Sequence, residues 1–154
     1  MSARLLPSRE SLPLLVIDEA TRSTGVLEGR TKLMKLVFLG QRLAPKAMGL
    51  PGGMLALYRF EPHNFGPFSP EVLSDLEDLE SKGLIEIKEQ PLDTEGRVRE
   101  YRYRITGLGR EFLMRLEKSS PELTAIRKSI DPFIGMPRSE LVDFVYSQYP
   151  DSVK

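Results

Sequence analysis

Between Ser69 and Ile105 the sequence marks a helix at both ends and sets two alternating segments directly behind it, and this order narrows the architecture more than any other stretch. Ser69 is placed to cap a helix whose first turn holds Pro70, where the missing N–H is not needed. Glu71 follows, a negative charge beside the positive end of the helix dipole. Gly83 supplies the left-handed residue that ends the helix. Residues 84–88 and 97–105 then alternate apolar and polar side chains, as half-buried strands do. In Asp93-Thr94-Glu95-Gly96 between them, Asp opens and Gly closes a type I turn. The spacing predicts a helix followed by a β-hairpin.

Upstream, residues 11–22 read as a helix that tolerates Pro13 in its first turn and ends at Thr24-Gly25. Residues 30–44 are the clearest amphipathic segment: at about 100° per residue Leu33, Leu36, Val37, Gly40, Leu43 and Ala44 share one arc, and Pro45 stops the helix. Residues 54–60 read as a strand. Residues 61–68 hold too many breakers for regular pairing; they form an ordered loop held down by Phe60, Phe65 and Phe68, with Gly66 in a conformation that side chains resist. Downstream, Thr106 caps a fourth helix carrying Leu108, Phe112 and Leu116, while Ser120-Pro121-Glu122 and Ser139-Glu140-Leu141 begin two more.

Two helices, a third with a glycine stop, and a hairpin make the layout of a winged helix-turn-helix domain whose hairpin is the wing. The expectation is therefore one α+β, mostly helical, winged helix-turn-helix-like domain over residues 1–154, with extra C-terminal helices. Its expected core is Leu33, Leu36, Val37, Leu43, Val72, Leu76, Leu79, Ile85, Ile87, Tyr103, Ile105 and Phe112.

Composition removes several kinds of chemistry. Without cysteine, thiolate metal sites, disulfides and cysteine nucleophiles are excluded, and His63, the single histidine, permits no multi-histidine metal site. His63 is expected to be hydrogen-bonded to backbone in its loop. Gly52-Gly53 lacks the spacing of phosphate-binding glycine loops, so no cofactor is implied, and no nucleophile and base pair can be assembled. The apolar stretch 12–17 is too short for a signal peptide, and no run approaches the roughly 18 apolar residues of a membrane span. A cytoplasmic, non-enzymatic protein without a membrane partner follows as the expectation.

Twenty-two basic and 22 acidic side chains cancel, so binding to nucleic acid must come from a local patch. From Arg30 to Lys46 there are five cations (Arg30, Lys32, Lys35, Arg42, Lys46) and no acid. Lys32, Lys35 and Arg42 share one side of the helix, next to its apolar face. The second hairpin strand repeats the sign: Arg97, Arg99, Arg102 and Arg104 outnumber Glu100, and Arg102 and Arg104 alternate with Tyr101, Tyr103 and Ile105, so that one face is apolar and the other offers guanidinium groups. The third helix is opposite, with Glu71, Asp75 and Asp78 in an outward row that a phosphate backbone would repel. Lys32, Lys35, Arg97, Arg99, Arg102 and Arg104 are thus the candidate nucleic-acid contacts. Glu71, Asp75 and Asp78 are the candidate contacts for a protein partner. The competing bland reading makes all three surfaces solvated faces, and the arginines guards of an edge strand.

Several stretches together carry a resemblance: residues 29–39 (GRTKLMKLVFL), 64–71 (NFGPFSPE), 81–85 (SKGLI), 101–110 and 141–150 (LVDFVYSQYP). They resemble the Panacea (SocA-like antitoxin) superfamily and the related YwgA-type proteins, most specifically in Lys32-Leu33-x-Lys35-Leu36 followed by Gly66-Pro67 ahead of a helix. That resemblance implies a small regulatory or antitoxin-like module that works by binding. Roughly two dozen residues separate the second and third helices, where a DNA-reading helix-turn-helix has three or four. Two functions follow. The first is a regulator of transcription that binds DNA through its wing and second helix. The second is a protein-interaction module of antitoxin or adaptor type. A homodimer is compatible with either.

Overall fold

The computed structural model describes residues 9–47, 57–63 and 66–152, with backbone alone at 45–47. Helix α1 (Ser11–Thr24) is followed by a two-residue strand β1 (Leu27–Glu28) and the long helix α2 (Arg30–Ala47). Strands β2 (Glu61–His63) and β3 (Gly66–Phe68) lead into α3 (Pro70–Ser81), then β4 (Ile85–Pro91) and β5 (Arg99–Ile105). Helices α4 (Gly107–Ser119), α5 (Pro121–Ile134) and α6 (Arg138–Gln148) follow, with a 3₁₀ turn at Pro150–Ser152. The architecture is α+β and mostly helical, as expected.

Helix α1 lies at the centre. Leu12, Leu14, Leu15, Val16, Ile17, Asp18 and Ala20 are all buried, more than one face can hold, because α2, α4, α5 and the sheet surround it. Helix α2 packs most extensively on α5, meeting Leu123, Ile126, Ile130 and Ile134, none of them in the expected core. Leu33, Leu36, Val37, Val72, Leu76, Leu79, Ile85, Tyr103 and Ile105 are buried as expected, whereas Leu43 and Ile87 are half-buried. Proline 45 does not stop α2: it removes only a bond to the carbonyl one turn back, and the helix runs on to Ala47.

The sheet has the antiparallel order β1-β5-β4, so β5 is central and β4 an edge. Ile85 pairs with Ile105, Ile87 with Tyr103 and Pro91 with Arg99, while Leu27 pairs with Tyr103 from the other side. The connecting turn closes through Gly96 N–H to the Asp93 carbonyl. Gly83 ends α3 with φ +77°. Thr106 caps α4 by accepting from Gly109 N–H at 2.9 Å, and its hydroxyl also reaches the carbonyls of Gly83 and Leu84.

Helix α4 is turned from its expected phase. Its buried residues are Gly109 and Leu113, and Phe112, expected in the core, is 44% exposed, as Leu108 is also. The cause is Gly109, where an ideal Cβ would stand 2.0 Å from the Leu84 carbonyl oxygen. The missing side chain lets this face of α4 press onto the end of the hairpin, which carries Leu108 and Phe112 outward.

Residues 61–63 and 66–68, expected to be irregular, form a short hairpin in which Pro62 pairs with Pro67 and His63 with Gly66. Prolines are tolerated there because both strands are edges. The rest of the expected strand 54–60 does not form over 57–60, and 54–56, like Phe65, lie outside the described residues. Gly66 has φ +110°, as its role required, and Phe68 is half-buried against the core. Ser69 stands at the N-cap, but its hydroxyl makes no capping hydrogen bond.

Candidate functional site

The hairpin presents its four arginines beside carboxylates that lie elsewhere in the sequence. Register sets Glu86 opposite Arg104, and their side chains meet at 3.4 Å. Arg99 pairs with Glu89, and Arg97 with Glu95 at 2.9 Å. Arg102 stands 3.8 Å from both Glu28 and Glu100. Counted whole, residues 85–105 hold five cations and five acids. The positive strand belongs to a neutral hairpin.

The basic side of α2 is divided. Lys35, expected on the solvated stripe, is 1% exposed: its amine lies against Gly66, 3.0 Å from where a Cβ would stand, with Val145 beyond. Burial, with Arg138 adding, pushes it down to about 8. Lys35 is thus an internal post under the 61–68 hairpin, which removes it as a phosphate contact. Lys32 is half-buried, and burial lowers its pKa against the opposing pull of Glu28. Glu28 therefore acts on both the helix and the hairpin cations. Arg30 stacks on the Tyr101 ring at 4.0 Å, and Arg42 covers Phe38 and Tyr149 at 5.3 and 5.5 Å. The side chain of Lys46 lies outside the described residues.

The acidic row on α3 is not wholly outward. Asp75 is buried and receives a bidentate pair from Arg9, Nε at 2.8 Å and Nη2 at 3.0 Å, together with the Tyr58 hydroxyl at 2.6 Å. Glu71 takes the third Arg9 bond at 2.7 Å and the Arg59 N–H. Asp78 is the most exposed of the three, with Lys82 at 3.9 Å, while the Glu71 side chain is held by Arg9 yet still partly solvated. Burial first, then the bond to Asp75, raises the Tyr58 pKa and keeps the phenol protonated. Asp75 thus ties α3 to α1 and is withdrawn from the partner-binding set. Arg9 is 66 positions away, too remote for helix periodicity to reveal.

Among the described residues the larger grooves between these elements are three, above two smaller ones of about 160 and 190 Å³ beside Lys35 and beside Arg102 and Arg104. A cleft of about 540 Å³ lies between α2 and the C-terminal turn, walled by Phe38, Phe60, Arg42 and Tyr149. A second, about 560 Å³, has Leu14, Leu79, Leu84 and Phe112 below Arg9, Glu10, Asp75 and Lys82, four charges of balanced sign. The third, about 350 Å³, separates α3 from the hairpin. Its floor is Leu73, Leu76, Ile87, Tyr101 and Tyr103, and its charged residues are Glu77, Glu80, Glu89 and Arg30. The cross-strand pairs Ile87–Tyr103 and Glu89–Tyr101 put these hairpin residues on one face, toward α3. Glu80 accepts the Ile87 N–H at 3.1 Å. The sequence contains every part of this groove, but only pairing shows that acids from α3 and β4 share it.

His63 stands in β2 with its ring 5.3 Å from Phe68. Among the described residues, no group of three or more His, Cys, Asp or Glu is placed to hold a metal, and no helix is long and apolar enough to cross a membrane. No family model and no curated protein matches the chain.

Proposed function

We propose that the chain is a non-catalytic, cytoplasmic protein-interaction module of antitoxin or adaptor type on a winged-helix-like frame. One observation carries the preference over a DNA regulator. The groove between α3 and the hairpin has three exposed carboxylates at its rim, Glu77, Glu80 and Glu89, against Arg30 and the Arg99 that pairs with Glu89, a negative balance. A helix-turn-helix offers its recognition helix and neighbouring wing to DNA with cations toward phosphates and base edges. Here the corresponding surface has the sign of DNA itself.

Three features support the frame: a hairpin directly after α3, a short strand between α1 and α2, and the antiparallel order β1-β5-β4. The resemblance to the Panacea superfamily agrees with a module that works by binding. Anisotropy of a labelled mixed-sequence duplex at low salt tests the reading. The expected result is no saturable binding tighter than about 10⁻⁴ M, the weak limit for non-specific DNA binders. Tighter, salt-dependent binding that is lost in Arg102→Ala/Arg104→Ala would restore the regulator and overturn the module.

A further inference from the structure

We infer that the groove between α3 and the hairpin is the docking slot for an extended segment of a partner protein in which apolar side chains alternate with lysine or arginine. The inference rests on the protein-interaction reading and adds the chemistry of the partner. Three observations lead to it.

The first is the floor. Leu73, Ile87 and Tyr101 remain half-buried over the fully covered Leu76 and Tyr103, so apolar surface stays open to water along the groove. Covering such surface is favourable in proportion to its area. At about 350 Å³ the space is near the lower end for ligand pockets, room for a few side chains but not for a helix or a globular face.

The second is the rim. Glu77 and Glu80 on α3 face Glu89 on β4 across the floor, and Arg30 stacks over the Tyr101 ring at 4.0 Å. Glu89 is shared with Arg99 and Glu80 with the Ile87 N–H, whereas Glu77 is exposed on its helix. Cations flanking an apolar insertion meet complementary potential here, while phosphate and anionic lipid are repelled.

The third is the edge of β4. A strand edge ordinarily captures a peptide by extending the sheet. At Ile87 that edge is already closed by the Glu80 carboxylate, so the incoming segment is held by its side chains in the slot and not as an added strand.

Two fluorescent twelve-residue peptides provide the probe, one alternating leucine or valine with arginine or lysine, the other identical except for glutamate at the charged places. Anisotropy titrations use the full chain. The basic peptide is expected to bind saturably at 1:1, at least tenfold more tightly than the acidic one. It should weaken several-fold on raising salt from low to moderate concentration, because the rim is exposed. Glu77→Lys/Glu89→Lys should lose at least tenfold for the basic peptide and gain affinity for the acidic one. Glu77→Lys alone, at a solvated position with no ion pair or hydrogen bond among the described residues, should lose part of that. Equal binding of both peptides, no binding of the basic peptide, or binding unchanged in the variants overturns the slot. Failure of the slot while the duplex still does not bind leaves the interaction module standing; only duplex binding removes both.

Discussion

Replacing Asp18 by asparagine should destabilise the fold by about 3 kcal/mol, and the structure shows why this one carboxylate matters more than its neighbours. Asp18 is 0% exposed at the centre of α1, and Oδ2 accepts from Arg127 of α5 at 2.9 Å. Arg22 and Arg110 approach the same carboxylate at 3.2 and 3.3 Å from solvated positions. Arg127 also meets Glu19, and Glu117 at 2.7 Å, so three acids face three cations where α1, α4 and α5 join. Removing one partner of a buried pair costs roughly 3–5 kcal/mol because a charge is left uncompensated. Arg127 keeps two carboxylates, which places the loss at the lower end. The exposed Arg22 and Arg110 add at most about 1 kcal/mol each. Asparagine preserves the shape but turns N–H groups toward guanidinium donors.

Urea and thermal unfolding at pH 7, both followed by circular dichroism, measure the effect. Asp18→Asn should lower the melting temperature by about 6–12 °C for a chain of this size. Glu117→Gln, which leaves Arg127 its other two partners, should cost about 1 kcal/mol or less. The double variant Asp18→Leu/Arg127→Met should recover little of the Asp18→Asn loss, since removing Arg127 strands Glu19 and Glu117, both largely covered at the same junction. If Asp18→Asn unfolds within about 0.5 kcal/mol of wild type, the usual span for inconsequential surface changes, the cluster does not hold the three helices together and the reasoning is wrong.

Gly109→Ala should destabilise severely, because its Cβ would stand 2.0 Å from the Leu84 carbonyl oxygen, whereas Gly107→Ala, with nothing within 4 Å, should be neutral or gain up to about 1 kcal/mol; thermal melts of the two variants separate sterics from helix propensity. Leu113→Ala should cost about 2–5 kcal/mol and Phe112→Ala much less, and the reverse order in urea unfolding would restore the helix phase that the sequence suggested. Lys35 has a folded pKa of about 8, below its ordinary value of 10.5, so between those values the unfolded chain holds the proton and the folded chain has released it. Stability must therefore rise with pH across that window, and relative to Lys35→Met the wild type should gain about 2 kcal/mol between pH 7.5 and 9.5, read from paired urea titrations.

The legible part of the fold is the part set by local chemistry. Pro70 at the start of α3, Gly83 at its end, the Asp93–Gly96 turn and Thr106 ahead of α4 each act within a few residues, and each stands where the sequence placed it. What the sequence hid is set by packing. Helix α1 shows no single apolar face because it is enclosed on all sides, and Leu27–Glu28 is too short to alternate; only its pairing with β5 makes it a strand. The α4 phase failed for a sharper reason. Leu108, Phe112 and Leu116 fit the helical period better than Gly109 and Leu113 do, but a glycine's contribution is the approach it permits, which no hydropathy pattern weighs.

Charge was the least legible property, and this bears directly on function. Alternation along β5 separates Arg102 and Arg104 from Tyr101 and Tyr103, yet the net field of a hairpin belongs to both strands and their turn. Arg104 lies 18 positions from Glu86, Arg102 74 from Glu28 and Arg9 66 from Asp75, separations at which a run of like charge in the sequence says nothing about what faces it. The second helix differs in kind. Its Lys35 is separated from solvent by the same 61–68 hairpin whose glycine the sequence marked as special, so two motifs that read as independent, Lys32-Leu33-x-Lys35-Leu36 and Gly66-Pro67, are the two halves of one contact. Their joint presence in a sequence therefore reports a way of building the frame. On the proposed reading a partner is told apart at the groove between α3 and the hairpin, where Glu77 and Glu89 belong to neither motif.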